Sequence, residues 1–172
     1  MAVETLRPNG EGHATGITDE YPSSQPHYTL VDEAVQDEDA TMVISYEEGE
    51  EYDLYALPAH SEGSGTINKV TVFICTNNDD TLLGGYCKTV IRTHDTNYYG
   101  AEEDSDGEWT TFNTEYALNP NTGLAWTWDE IDALQAGVLL EQEENYATQV
   151  YVEVDYTPPS GTQIFRRRLE GY

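Results

Sequence analysis

Residues 149–156 read Gln-Val-Tyr-Val-Glu-Val-Asp-Tyr, and this stretch decides the fold class. Val150, Val152 and Val154 occupy every second position, and aromatic or acidic residues stand between them. A period of two places the valines on one face of a β-strand and the other side chains on the opposite face. Residues 67–76 repeat the pattern with alternating Val and Ile. Both stretches are therefore predicted to be strands that bury one face.

Further short runs rich in β-branched and aromatic residues predict more strands. They cover residues 41–46, 51–57, 85–93, 110–118 and 162–165. Residues 127–130, Thr-Trp-Asp-Glu, form a capping box that predicts one short helix at about 128–136, with Gly137 as its stop. Many short strands and a single helix predict an all-β fold, an antiparallel β-sandwich with a jelly-roll arrangement.

The strand at 85–93 is expected to form a hairpin with the strand at 67–76. Cys75 and Cys87 lie on these two segments. Two cysteines are too few for a disulfide framework, which favours two small buried thiols. A cross-strand disulfide stays open if the register places them opposite each other.

Changes in composition along the chain predict three parts. Residues 1–27 are polar, rich in Gly, Pro, Ser and Thr, and lack a sustained period, so an extended N-terminal arm is expected. Residues 28–157 are expected to form the sandwich, and residues 158–172 a C-terminal tail. The length of 172 residues suits one buried core rather than two domains.

The chain carries 33 acidic and 7 basic residues, a formal net charge of −26. Such a surface repels polyanions, so neither nucleic acid nor an anionic membrane is expected as a partner. No apolar run approaches the ~20 residues of a membrane helix, and residues 1–8 lack the features of a signal peptide, which predicts synthesis in a cytoplasm. Salt relieves the self-repulsion of so many carboxylates, which favours adaptation to a saline medium over an ordinary acidic protein.

Glu102, Asp104 and Asp106, followed by Gly107, are similar to the first half of a calcium-binding loop. The first ligand is Glu rather than Asp, and Asn113 stands where a bidentate Glu would close the site. A calcium site and an acidic surface turn therefore both stay open. No other cofactor is indicated, and no catalytic constellation predicts an enzyme.

Aromatic residues offer a second candidate site. Tyr98, Tyr99 and Trp109, together with Trp126 and Trp128, have the flat faces and polar tips that suit stacking against sugars. The same residue types are also used in cores and at the centres of subunit interfaces. The sequence leaves these uses open.

Arg166, Arg167 and Arg168 hold three of the seven cations of the chain. They predict docking onto the acidic flank of a neighbouring copy through arginine–carboxylate pairs. A solvated tail is the alternative interpretation.

Several stretches resemble a group of small β-sandwich structural proteins of tailed viruses, proviruses and environmental sequences. They are LRPNG (6–10), VDE (31–33), DLYALP (53–58), NPNTGLAWT (119–127), LQAG (134–137) and TQVYVEVDY (148–156). The resemblance extends to about Pro158 and implies a capsid-surface, turret or tail-associated component of a virion, with no catalytic residues to carry over. Together with the acidity, it implies a virus of a salt-loving host, such as a haloarchaeon. The chain would then form a homo-oligomer and contact other virion proteins through its sandwich and terminal arms.

The rival hypothesis is a carbohydrate-binding module that recognises host-surface glycans. It predicts exposed aromatic side chains, whereas assembly predicts buried rings and termini that contact other copies. A hydrolase would require a deep pocket with carboxylates of perturbed pKa.

Overall fold

The computed structural model describes residues 1–46, 49–61, 64–79, 84–105, 107–141 and 144–159. Its strands form two antiparallel sheets that face each other. The front sheet contains β1 (Ala2–Leu6), β3 (Asp19–Tyr21), β4 (Met42–Ser45), β6 (Thr66–Asn78), β10 (Thr110–Tyr116) and β12 (Asn145–Thr157). The back sheet contains β2 (Gly10–Thr15), β5 (Glu50–Ala56), β7 (Gly85–Thr93), β8 (Thr96–Tyr99), β9 (Glu103–Ser105) and β11 (Gln135–Glu141). The predicted all-β sandwich is confirmed.

The front sheet has the order β10–β6–β12–β4–β3, and β1 pairs with β12 beyond the end of β4. The back sheet has the order β2–β5–β11–β7–β8, and β9 pairs with the other end of β7. Two 3-10 turns, His27–Leu30 and Glu38–Ala40, lie between β3 and β4. Within the described residues, no helix is both long enough and apolar enough to cross a membrane.

The two long strands β6 and β12 supply the centre of the core. Their register places Val150 against Ile74, Val152 against Val72 and Val154 against Val70, and all six side chains are fully buried. The back sheet covers them with side chains such as Tyr55, Ile91, Val138 and Leu140. Each fully buried Val contributes about 1.5–3 kcal/mol relative to an exposed one, so this block stabilises the sandwich.

The hairpin expected between residues 67–76 and 85–93 is wrong. Both segments are strands, but β6 pairs with β10 and β12 in the front sheet, whereas β7 pairs with β11 in the back sheet. Alternation reports that a strand buries one face, which is equally true of strands stacked across a sandwich. Cys75 and Cys87 are consequently free, buried thiols on different sheets, as the favoured interpretation predicted.

The extended arm expected over residues 1–27 is also wrong, because this segment forms β1, β2 and β3. Leu6 of β1 lies opposite Val152, and Ile17 is buried in the core. The backbone N–H groups of Gly16 and Ile17 donate to Oδ1 of Asp53 at 2.8 and 3.0 Å. Short edge strands that bury few residues leave no sustained period in a sequence, which explains the error.

The helix α1 spans Trp128–Asp132 and ends before the expected residue 136. Its capping box is confirmed, since Oγ1 of Thr127 accepts from the Glu130 amide and the Glu130 side chain accepts from the Thr127 amide. Residues 135–141 are strand β11 instead, and Gly137 is not a helix stop. A Cβ at Gly137 would collide with the carbonyl oxygen of Asp53 on the paired strand β5. The absence of a side chain at Gly137 therefore allows β11 and β5 to pair closely.

The C-terminal tail lies largely outside the described residues, which end at residue 159. The strand predicted at 162–165 and the assembly residues Arg166, Arg167 and Arg168 fall in that part of the chain.

A candidate ligand-binding groove

A groove of about 410 Å³ opens on the outer face of the front sheet, near the end of β6. We call it the front groove. It is lined by Tyr21, Asp39, Met42, Ile44, Tyr46, Asn77, Asp79, Trp109 and Tyr146. The volume falls within the roughly 300–1,000 Å³ that is typical of small-ligand sites.

Strand register explains why these side chains meet. Tyr146 of β12 lies between Ile44 of β4 and Asn77 of β6, so the three form a row across the sheet. Trp109 directly precedes Thr110, which pairs with Thr76, and the row therefore continues to β10. Successive side chains alternate between faces, so this row points away from the core, which lies on the other side of the sheet.

Aromatic rings form much of the wall of the front groove. Tyr21 is 54% exposed and Tyr46 is 46% exposed, while Trp109 and Tyr146 are half-buried. The indole Nε1 of Trp109 donates to Oδ1 of Asp39 at 3.1 Å. That bond connects the ring to the 3-10 turn Glu38–Ala40, which precedes β4. The groove therefore presents flat apolar faces beside polar atoms.

Two carboxylates, Asp39 and Asp79, make the front groove electronegative. Burial raises the pKa of Tyr146 to about 12, and the negative charges of Asp79 and Glu144 act in the same direction. The Tyr146 phenol therefore keeps its proton near neutral pH. A protonated phenol can both donate and accept hydrogen bonds.

Asn77 contributes a polar group without a protein partner. The residue is only 8% exposed, and its Oδ1 accepts no hydrogen bond from any described residue. A buried amide oxygen without a donor costs free energy. The oxygen has almost no accessible surface, so a hydroxyl or ammonium group of a bound molecule would satisfy it once the side chain turns toward the groove.

The three aromatic residues predicted as a sugar platform do not meet. Tyr98 and Tyr99 point to opposite faces of β8: Tyr98 packs against the core and accepts from Nδ2 of Asn121, whereas Tyr99 is 46% exposed beside Tyr52. Trp109 lies on the other sheet, in the front groove. Only Trp109 therefore belongs to the site that the structure forms.

Trp126 and Trp128 are anchors of the sandwich. Trp126 is buried and its Nε1 donates to the carbonyl oxygen of Tyr116 at 3.0 Å. Trp128 donates to the carbonyl oxygen of Gly65 at 3.0 Å and packs edge-on against Tyr156. Both satisfy their indole N–H groups on backbone carbonyls, which is a packing role.

The acidic segment considered for calcium is only partly described. Glu102 forms an ion pair with Lys88 at 3.1 Å, Asp104 is exposed in β9, and Asp106 lies outside the described residues. Over the described ranges, no three His, Cys, Asp or Glu side chains are grouped so that they could hold a metal ion. The calcium site stays a prediction that these residues do not test.

Sequence reasoning missed most of the front groove, including Tyr21, Tyr46, Asn77 and Tyr146. Two of them carry a usable signal. Tyr46 ends the predicted strand 41–46, and Tyr146 lies three residues before the predicted strand 149–156, next to the buried Ala147. An aromatic residue on the solvent face of a strand that buries its other face is a candidate for binding. The strand order needed to bring these residues together cannot be derived from the sequence.

No protein-family model and no curated protein matches the sequence. Among solved structures, the chain is similar to the family 22 carbohydrate-binding and catalytic modules of a Clostridium thermocellum endo-1,4-β-D-xylanase complexed with xylohexaose (TM-score 0.48, 12% identity, 72% of this chain and 23% of that one). It is also similar to a family 35 carbohydrate-binding module of Cellvibrio japonicus (TM-score 0.41, 12% identity, 93% and 100% of the chains). A third similar structure is a family 29 module of Piromyces equi (TM-score 0.37, 10% identity, 90% and 91%). At these TM-scores and identities the likenesses carry no argument about a ligand.

Proposed function

We propose that this chain is a carbohydrate-binding protein and that the front groove is its binding site. The carrying observation is the convergence of Tyr21, Tyr46 and Trp109 with the polar groups of Asn77 and Asp39. A sugar ring has an apolar C–H face and a rim of hydroxyl groups. Aromatic faces suit the first, and carboxylate or amide oxygens accept hydrogen bonds from the second.

The proposal is one of binding without bond cleavage. Asp39 and Asp79 are both exposed at the groove. A carboxylic acid that protonates a leaving group is typically held in a buried, apolar setting, which neither of these exposed side chains has. The groove therefore supports recognition of a sugar rather than hydrolysis.

Self-assembly in the virion of a salt-adapted virus stays a prediction, and no specific observation favours it. The N-terminal residues expected to reach a neighbouring copy pair with strands of their own chain. The other predicted contact, Arg166 to Arg168, lies outside the described residues. Recognition of a glycan does not require either terminus to reach a neighbouring copy.

A panel of neutral oligosaccharides, titrated against the protein by calorimetry and by tryptophan fluorescence, tests the proposal. Tyr46→Ala and Tyr99→Ala form a matched pair, since both residues are 46% exposed and only Tyr46 lines the front groove. Loss of one stacking ring should cost about 1–1.5 kcal/mol, which is roughly tenfold in affinity. Tyr99→Ala should bind as the wild type does.

Two results would overturn the proposal. One is the absence of binding to every sugar of a panel that includes amino sugars, with the folded state verified by circular dichroism. The other is binding that Tyr99→Ala weakens and Tyr46→Ala leaves intact, since the site would then lie on the back sheet.

A further inference from the structure

We infer that the sugar recognised by the front groove carries protonated amines, so that the ligand class is an amino-sugar oligomer such as a glucosamine chain. The inference rests on the proposed carbohydrate binding at the same groove. It names the charge of the ligand, which that proposal leaves open.

The first observation is the charge of the residues that line the front groove. Of the nine lining residues that the structure describes, two are carboxylates, Asp39 and Asp79, and none is Lys, Arg or His. Oδ1 of Asp39 accepts from Trp109, while its Oδ2 accepts no hydrogen bond from the described residues. The carboxylate of Asp79 likewise has no hydrogen-bonding or ion-pairing partner among them. Both side chains therefore keep acceptor atoms for a ligand.

The aromatic residues reinforce this preference. An ammonium group within about 6 Å of the face of a Trp or Tyr ring is attracted by the quadrupole of the ring. Trp109, Tyr21, Tyr46 and Tyr146 all contribute to the same lining as the two carboxylates. A neutral sugar uses only the apolar character of these rings, whereas a cationic sugar uses their electrostatic character as well. An acidic sugar would be repelled by the carboxylates.

Tyr146 shows how the carboxylates of the groove act on a neighbouring group. Beyond the effect of burial, the charges of Asp79, Glu144 and Asp39 raise its pKa, to about 12. Burial is the largest cause of this shift, and the smaller part that the carboxylates contribute comes from a negative potential, which would also stabilise a cation. The ammonium form of a bound amine is therefore favoured over the free base.

Asn77 supplies the observation that separates a site from a mere acidic surface. Its amide is more than nine-tenths buried in the groove lining, and Oδ1 has no donor among the described residues. Protonated amines bring up to three N–H donors to such an oxygen. The buried amide and the two carboxylates together accept what an amino sugar donates.

The test compares two hexasaccharides with the same linkage, one of glucosamine and one of N-acetylglucosamine. They differ in the N-acetyl group, which removes the protonatable amine and adds an amide, so the comparison is repeated at a pH where the amine is neutral. We expect the glucosamine hexamer to bind at least about tenfold more tightly at about pH 5.5, where an amine of pKa about 8 is charged. The advantage should disappear at about pH 9.5, because the amine is then neutral.

Matched variants separate the groove from general attraction to an acidic protein. Asp39→Asn and Asp79→Asn each remove one negative charge from the groove, and the new amide at 39 can still accept from Trp109. Asp95→Asn removes the same charge from the β7–β8 turn of the back sheet, where the side chain is 99% exposed. Each groove variant should weaken binding of the glucosamine hexamer about tenfold, and Asp95→Asn less than about twofold.

The outcomes distinguish this inference from the proposal beneath it. Equal or tighter binding of the N-acetylated hexamer, or of another neutral oligosaccharide, would overturn the charge preference and leave carbohydrate binding intact. Equal weakening by Asp95→Asn and the groove variants would also overturn it, since attraction would then be non-specific. Binding of no oligosaccharide at all would overturn both.

Discussion

Asp53 is the residue whose replacement tests the fold most directly. Its side chain is fully buried and accepts four hydrogen bonds. Oδ1 accepts from the amides of Gly16 and Ile17, and Oδ2 accepts from the Tyr55 hydroxyl at 3.0 Å and pairs with Nδ1 of His27 at 2.6 Å. These partners hold the segment between β2 and β3 and the 3-10 turn at residue 27 against the back sheet. Asp53→Asn keeps the shape of the side chain and removes its charge.

The expected loss follows from the hydrogen bonds. Oδ1 of the asparagine can still accept from the two amides, as neutral bonds of about 0.5–1.5 rather than roughly 1.5–3 kcal/mol each. Its Nδ2 cannot accept from the Tyr55 hydroxyl or from Nδ1 of His27, so the variant forfeits at least about 4 kcal/mol of hydrogen bonding. Relief from burying a carboxylate offsets part of this loss. We expect a net destabilisation of about 2–3 kcal/mol. For a chain of this size that corresponds to a fall in Tm of about 4–12 °C.

Urea and thermal unfolding of the wild type and the variant, both followed by circular dichroism in one high-salt buffer, measure the change in unfolding free energy. Asp95→Asn is the control, because its exposed carboxylate should contribute less than about 0.5 kcal/mol. The reasoning is refuted if Asp53→Asn unfolds within about 0.5 kcal/mol of the wild type. The buried carboxylate would then contribute no more than a neutral amide.

Three further predictions use other features of the sandwich. The hydrogen bond to Asp53 raises the pKa of His27, so folding takes up a proton where His27 is protonated only in the folded state. The resulting stabilisation is complete below about pH 6.5 and is lost as the pH rises through the raised pKa. Urea midpoints of the wild type should therefore fall across that window relative to His27→Gln, and parallel profiles would contradict the linkage. Gly137→Ala should lower the unfolding free energy by at least about 2 kcal/mol, because the new Cβ meets the backbone oxygen of Asp53. Gly49→Ala is the control: its surroundings are open, so stability should change by less than about 0.5 kcal/mol. Burial raises the pKa values of Cys75 and Cys87, so a thiol reagent should label both slowly in the native protein and rapidly in urea; rapid native labelling would show that they are accessible.

Predictability from the sequence depended on how much of each element is buried on one face. The strands β6 and β12 alternate over many residues, so their existence and inward faces were predictable. The strand β11 is buried on both faces over residues 136–140, and its apolar run carries no period that separates it from a helix. That ambiguity extended the predicted helix into a strand.

The front groove shows a different limit. Its residues come from β3, β4, β6 and β12, from the residues directly after β4 and β6, from the 3-10 turn at residues 38–40 and from the residue before β10. Trp109 was predicted as a binding residue, but its neighbours in space are far away along the chain. Their grouping depends on sheet order, and sheet order arises from tertiary packing rather than from local preference. A site assembled in this way cannot be recognised in the sequence before the order of the strands is known.

The pairing of β1 with β12 has a practical consequence. Ala2 lies opposite Tyr156, so the beginning of the described chain and the end of its last strand are neighbours. Tyr146, in the front groove, stands ten residues earlier on β12, which is about 30 Å along an extended strand. A fluorophore, affinity tag or solid support attached next to Ala2 would therefore leave the mouth of the groove clear, and protein immobilised there can be offered to intact polysaccharides without a long spacer.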